Sequence, residues 1–417
     1  MIKYFTELHN FFGNSSPDEL IHTYGSPLYV YNESILRQRC KDMKDLVDYP
    51  NFIPSYSSKA NSNLELLKII KDEGLYADAM SPGEIYVLLK AGFKPHQIFY
   101  ISNNVSKEEM SYAIEKNITI SIDSLSQLKT YGELNRGGTV AIRINPGIGA
   151  GHHKKVITAG RDTKFGINIE DMGEVKTILK NYNLTLIGIN QHIGSLFLEP
   201  TPYINGAKSL LDVAKDFNDL EFIDFGGGFG IPYNRQEGEK PLDIDKLGTT
   251  LSSLMYSWTE NNKKEVVFKA QPGRYIVAEC GVLLGSVHSI KQNHITTYIG
   301  TDIGFNVLMR PVLYDAHHDI EVYRDGKVLP SGKYDREVTI VGNICESGDI
   351  IAPMKKLPPI EIGDIIGVMD AGAYGYSMSS NYNNRLRPAE VLIDRNGQPT
   401  LIRRRDILED LLRNFNL

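Results

Sequence analysis

The strongest constraint on this chain is a rhythm that runs from Phe52 to Gly273. Short apolar segments of strand character alternate with amphipathic stretches at helical spacing. Eight strand segments can be read, over residues 52–59, 75–80, 97–102, 118–124, 139–146, 186–194, 221–228 and 266–273. Between them lie helical patterns such as 81–91, 106–115 and 204–217. An open doubly wound sheet would also alternate, but eight repeats without a dinucleotide fingerprint predict closure into a (β/α)8 barrel. In such a barrel every strand ends on the same face, where the site is built. Polar residues fall at those ends. Lys59 closes the first strand, Asp78 lies in the second, and Arg143 and Asn145 stand near the end of the fifth. His192 ends the sixth, Gly226-Gly227-Gly228 the seventh, and Gln271-Pro272-Gly273-Arg274 the eighth.

Each signal has a plain reading when taken alone. In Tyr56-Ser57-Ser58-Lys59-Ala60-Asn61 a lysine stands where a strand gives way to a helix. Facing into a barrel mouth, its amine would lose hydration and could form a Schiff base with a carbonyl compound or pyridoxal phosphate. Lysine is mostly exposed, so a solvated loop position fits that stretch as well. The triple glycine lets backbone N–H groups approach a phosphate, with Arg274 adding charge, although a Gly-rich turn is usually only a turn. It is their joint placement at the strand ends that points to a site. The pairs His152-His153 and His317-His318 suggest metal, but neighbours on a strand face opposite sides, and no metal is expected.

After about residue 278 the pattern changes to strands joined by turns, at 282–290, 296–299, 320–323, 337–341, 365–369 and 390–393, with turn signals at Gly363-Asp364 and Asn396-Gly397. Near the start, a helix is expected around Pro17, a strand over 27–31, and a helix from Asn32 through Leu46. The domains expected are therefore a barrel over 34–277 and a mostly β domain from 1–33 and 278–417. A last helix is expected over 406–412, and the run Arg403-Arg404-Arg405 reads as part of a solvated helix face. Two segments are too polar for plain sheet, one at 342–349 with Cys345 and Glu346, the other running from Asp370 through Tyr374 to Asn383.

Composition narrows the class. A net charge of −6 over 417 residues gives no support to nucleic-acid or membrane-surface binding. Cys40, Cys280 and Cys345 are widely spaced, which fits a reducing compartment and no disulfide framework. No apolar run has signal-peptide or membrane-spanning length, so a cytoplasmic location is expected.

Taken together, these residues resemble the fold type III pyridoxal-phosphate decarboxylases, and within them the diaminopimelate branch. The likeness covers nearly the whole chain. It is carried by Ser58-Lys59-Ala60-Asn61, Asn145-Pro146-Gly147 with Lys164-Phe165-Gly166-Ile167, His192-Ile193-Gly194-Ser195, Gly226-Gly227-Gly228-Phe229-Gly230, Cys345-Glu346-Ser347-Gly348-Asp349 and Ala371-Gly372-Ala373-Tyr374. Met309-Arg310-Pro311 with Tyr314, and Met378-Ser379-Ser380-Asn381-Tyr382-Asn383, narrow it to the diaminopimelate branch.

The resemblance implies decarboxylation of meso-diaminopimelate to L-lysine and CO2 with pyridoxal phosphate as cofactor. Lys59 would bear the cofactor and His192 would lie against its ring. Asp78, Ser195, Gly226, Gly227, Gly228, Gln271, Gly273, Arg274 and Tyr374 would surround it. Arg274, Arg310, Tyr314, Glu346 and Tyr374 would read the substrate, and Cys345 would donate the proton. In this family Cys345 and Glu346 serve the partner subunit, so a homodimer is implied. One position departs from the family. Gln271 stands where glutamate usually holds the pyridine nitrogen protonated, and an amide cannot supply that charge unless another carboxylate does. The alternatives are a sister decarboxylase acting on ornithine, lysine, carboxynorspermidine or a siderophore precursor, and a non-catalytic pyridoxal-phosphate binding protein.

Overall fold

A computed structural model describes residues 4–147 and 163–416. The His152-His153 pair lies outside the described residues. The chain divides into two compact units, one formed by Gln38–Pro232 and Lys240–Ile276, the other by Met1–Arg37, Tyr233–Glu239 and Val277–Leu417.

Among the described residues of the first unit, eight parallel strands form a ring, named here β1 (Phe52–Ser57), β2 (Tyr76–Ala79), β3 (Ile98–Ile101), β4 (Thr119–Ile122), β5 (Thr139–Asn145), β6 (Thr185–Asn190), β7 (Phe222–Asp224) and β8 (Val267–Ala270), and a two-residue strand, Ile167–Asn168, pairs with the end of β5. Each pairs with the next, and β8 pairs with β1, with Phe268 opposite Phe52. The sheet is therefore a closed (β/α)8 barrel, as the alternation predicts. The strands are near-continuous apolar runs because helices cover the outside and side chains fill the inside. Phe99, Ile101, Ala141, Ile187 and Phe222 form one such packed cluster. Gly188 on β6 leaves the space that the Phe222 ring fills, since a Cβ there would lie 2.1 Å from it. The covering helices start where the sequence caps them. Ser81 accepts from the Glu84 amide ahead of Pro82–Lys90, and Ser106 and Glu109 form a capping box ahead of Lys107–Glu115.

The second unit is a mostly β domain containing a ten-stranded sheet. Its backbone is the long strand Gly281–Asn293, which pairs antiparallel with Leu28–Asn32 and with Ile365–Val368. Leu28–Asn32 pairs on its other side, in parallel, with Ala389–Ile393, so an early segment completes a sheet made mainly of late ones. Phe11, Leu20, Leu28, Val30, Val282, Leu284 and Val391 build its core.

Three details differ from the sequence reading. Strand Ile350–Leu357 lacks a clean alternating pattern and is invisible there. The run Arg403–Arg405 is not a helix face. Arg403 ends strand Pro399–Arg403 and pairs with the fully buried Glu390, and Arg405 donates to the Pro27 carbonyl at 2.6 Å. His317 and His318 do not lie on a strand but in the irregular segment before Ile320–Arg324.

Candidate active site

At the end of β1 the chain turns at once into a 3-10 helix, Ser58–Ala60, and this turn is locked from below. Ser58 Oγ lies 2.8 Å from the Asp78 carbonyl and 3.1 Å from Glu84 Oε2, and that same carboxylate oxygen accepts from the Met80 amide at 2.7 Å. The Tyr56 hydroxyl donates to the Asn61 carbonyl at 2.8 Å. With its backbone fixed, Lys59 donates from Nζ to Ser57 Oγ at 3.2 Å and sits 3.8 Å from Asp78 Oδ2. The Ser57 hydroxyl in turn donates to Asp78 Oδ2 at 2.7 Å. Asp78 is fully buried, and desolvation pushes its pKa up to about 6 against the opposing pull of the Lys59 charge and the Ser57 hydrogen bond. Lys59 is thus half-buried beside a buried carboxylate rather than a solvated loop residue.

The ends of β6, β7 and β8 converge beside it. His192 Nδ1 accepts from the Gly227 amide at 3.2 Å, which places the proton of the neutral ring on Nε2. Desolvation, reinforced by the charges of Arg143 and Lys59, holds its pKa well below the usual range. His192 is therefore an uncharged ring at neutral pH. Gly227 has no room for a side chain, because a Cβ would lie 2.0 Å from the Gln271 carbonyl oxygen. Gly226 and Gly228 take positive φ values of 78° and 106°, so the turn needs glycine twice more. Arg274 donates from Nη2 to Ser195 Oγ at 2.8 Å, bringing the loops after β8 and β6 together.

Asp224 is the residue that the sequence reading missed here. It ends β7, is fully buried, and accepts from the Gly226 amide at 2.8 Å and from Gln271 Nε2 at 2.7 Å. Burial raises its pKa, while the Gly226 amide, Gln271 and the Lys269 charge pull the other way. Its place two residues before a glycine turn reads as turn chemistry, which hides it. Arg143 is visible at a strand end but received no role. It is buried, lies 4.5 Å over the Phe165 ring, and has its pKa lowered to about 10 by desolvation.

In the β unit, helix Arg310–Tyr314 carries a buried Arg310 and a half-buried Tyr314. The loop with Cys345 and Glu346 is held by Asp349, whose Oδ1 accepts from the Phe305 amide and Oδ2 from the Ile344 amide, both at 2.7 Å. Cys345 and Glu346 are exposed. Asn383 Nδ2 donates to Cys345 Sγ at 3.2 Å while its Oδ1 accepts from the Cys345 amide at 3.1 Å. Tyr382 donates to Glu346 Oε1 at 2.6 Å. Tyr374 is half-buried with φ +56°. The geometry unites Lys59, Asp78, His192, Ser195, the three glycines, Gln271, Gly273 and Arg274 at one end of the barrel. Arg310, Tyr314, Cys345, Glu346 and Tyr374 belong to the other unit.

The barrel residues fit a phosphorylated aldehyde. A primary amine stands at one strand end, and glycine amides with a guanidinium stand at others. Asp78 Oδ1 and Arg143 Nη2 are buried with no hydrogen-bond partner among the described residues. A family profile described as "Pyridoxal-dependent decarboxylase, pyridoxal binding domain" matches residues 33–278. A diaminopimelate decarboxylase of Methanothermobacter thermautotrophicus is 40% identical over 98% of this chain and 96% of its own length.

The chain belongs to the diaminopimelate decarboxylase family.

A second member, from Archaeoglobus fulgidus, is 34% identical over 96% of this chain and 95% of its own. Among solved structures, the diaminopimelate decarboxylase of Helicobacter pylori complexed with L-lysine matches with a TM-score of 0.86. It is 32% identical and the match covers 95% of this chain and 98% of that one. Family membership makes the chain a pyridoxal-phosphate-dependent carboxy-lyase.

Proposed function

We propose that this chain removes one carboxylate from meso-diaminopimelate to give L-lysine and CO2, with Lys59 as the amine that holds the cofactor. The observation that carries the reading is the Lys59–Ser57–Asp78 cluster at the end of β1. Pyridoxal phosphate supplies the sink for the electron pair left when CO2 departs. The protein's part is to bind, orient and move protons. Gly226, Gly227 and Gly228, with Ser195 and Arg274, receive the phosphate through amides, a hydroxyl and a guanidinium. Neutral His192 offers a flat, uncharged ring that adds no competing charge. Gln271 takes the place of the usual glutamate, and its Nε2–H···Asp224 bond makes its side-chain carbonyl a stronger acceptor. Asp224 is then the carboxylate that backs this position.

Arg310 reads the distal carboxylate, for which a planar fork of donors is suited, with Tyr314 beside it. Glu346 takes the distal ammonium, Arg274 and Tyr374 complete the contacts, and Cys345 delivers a proton to the carbon that has lost CO2. That Cys345 and Glu346 are exposed in the single chain supports their service to a second copy, hence a homodimer with shared sites. The barrel then runs over 34–277 as the cofactor domain, and the rest forms the domain that completes the site. The cofactor assignment is tested by the visible spectrum of protein purified with pyridoxal phosphate. The imine band is expected in wild type and absent in Lys59→Ala; a band that survives the substitution overturns the role of Lys59.

A further inference from the structure

Arg310 is among the largest fully buried side chains of the protein, and its surroundings are specific. Its guanidinium lies 4.3 Å over the Tyr233 ring, and Nη1 meets His318 Nε2 at 2.7 Å. The other ring nitrogen, His318 Nδ1, is 2.7 Å from the Met369 carbonyl oxygen. Tyr233 also packs edge-on against the imidazole, with centroids 5.2 Å apart and planes at 79°. The two hydrogen bonds fix the chemistry of the ring. A carbonyl only accepts, so Nδ1 carries the proton, and a guanidinium only donates, so Nε2 presents its lone pair. His318 is buried, neutral and in a single tautomer.

We infer that His318 is a positioning residue for substrate recognition, holding Arg310 by one edge so that the guanidinium meets the distal carboxylate in a fixed orientation. The inference rests on the reading of Arg310 given above. The choice of imidazole has a physical reason. A carboxylate in this position would hold Arg310 equally well but would neutralise it and compete with the substrate's own carboxylate. A neutral acceptor fixes the geometry without adding a negative charge of its own beside the guanidinium. Tyr233 supports the flat face of the cation without offering a negative charge. The tie between His318 and Met369 keeps the acceptor from rotating away.

The test uses holoenzyme and two ligands that differ only in the carboxylate, L-lysine and cadaverine. In His318→Leu, inhibition by L-lysine should weaken about 10- to 100-fold, the range for a lost hydrogen bond to a charged group. Cadaverine inhibition should change little, and KM for meso-diaminopimelate should rise with kcat nearly kept. His318→Gln can still accept from Arg310 and donate to Met369, and should recover most of the L-lysine affinity. Should the leucine variant not fold, His318→Glu asks the same question, since it retains an acceptor but neutralises Arg310. L-lysine binding should again fall selectively. Equal losses for both ligands in the variants, or none for either, would overturn the inference. Arg310→Met separates the two readings: unchanged L-lysine affinity there removes Arg310 itself from substrate recognition, whereas a loss there with none in the His318 variants removes only His318.

Discussion

At the residue scale the site is governed by buried carboxylates and what they face. The folded pKa of Asp78 is raised from 3.8 to about 6, so the native state holds its proton more tightly than the unfolded chain. The stability from this group is therefore full below about pH 4 and is lost as pH rises through about 6. In cofactor-free protein, Asp78→Asn keeps an acceptor for Ser57 and removes the titration. Its stability relative to wild type should gain by about 3 kcal/mol across that window, read from denaturant melts at several pH values. A difference that does not change with pH would contradict the buried titration. Gln271→Glu restores the family's residue but sets a second carboxylate where an amide now donates to Asp224 at 2.7 Å. Two carboxylates at that distance share a proton, raising one pKa, so the variant should lose stability relative to wild type as pH rises. Parallel melting curves from pH 5 to 8 would show that the pair relaxes apart. Lys59 was legible in the sequence because a lysine at a strand end carries recognisable chemistry. Asp224 was not, because its partner Gln271 lies 47 positions away and only folding sets them side by side.

At the scale of elements, the alternation of apolar strands and helices was enough to find all eight barrel strands. Parallel strands covered on both faces are continuous apolar runs bounded by turn residues, and such runs are easy to see. The β unit was less legible. Strand Ile350–Leu357 has mixed burial and includes Pro353, so its pairing with Arg336–Val341 is set by register with its neighbour rather than by local pattern. The basic run misread as a helix face, Arg403–Arg405, takes its roles from long-range partners such as Glu390. The glycine turn after β7 yields a prediction at this scale. Gly227→Ala drives a Cβ to within 2.0 Å of the Gln271 carbonyl, which cannot move without shifting the end of β8. Affinity for pyridoxal phosphate, followed by absorbance titration, should fall about tenfold or more, while the circular dichroism of the barrel is kept. Undiminished affinity would remove this turn from the phosphate site.

At the scale of the whole molecule, the proposed homodimer is open to a direct test. Cys345 and Glu346 are exposed on the β unit, so each site is expected to draw them from the neighbouring subunit. Lys59→Ala and Cys345→Ala homodimers should each be nearly inactive. Mixing them under conditions that exchange subunits should restore activity, because some mixed dimers carry one intact site. No recovery despite demonstrated exchange would place both residues in one subunit's site. Among the described residues no helix is long and apolar enough to cross a membrane.

The most direct measurement is product formation. Holoenzyme is given meso-diaminopimelate, L-ornithine and L-lysine in separate assays, and released CO2 and amine are identified. CO2 and L-lysine are expected from meso-diaminopimelate alone. Turnover of L-ornithine or L-lysine at a comparable rate, or an intact cofactor band with no turnover of meso-diaminopimelate, would contradict the proposed function.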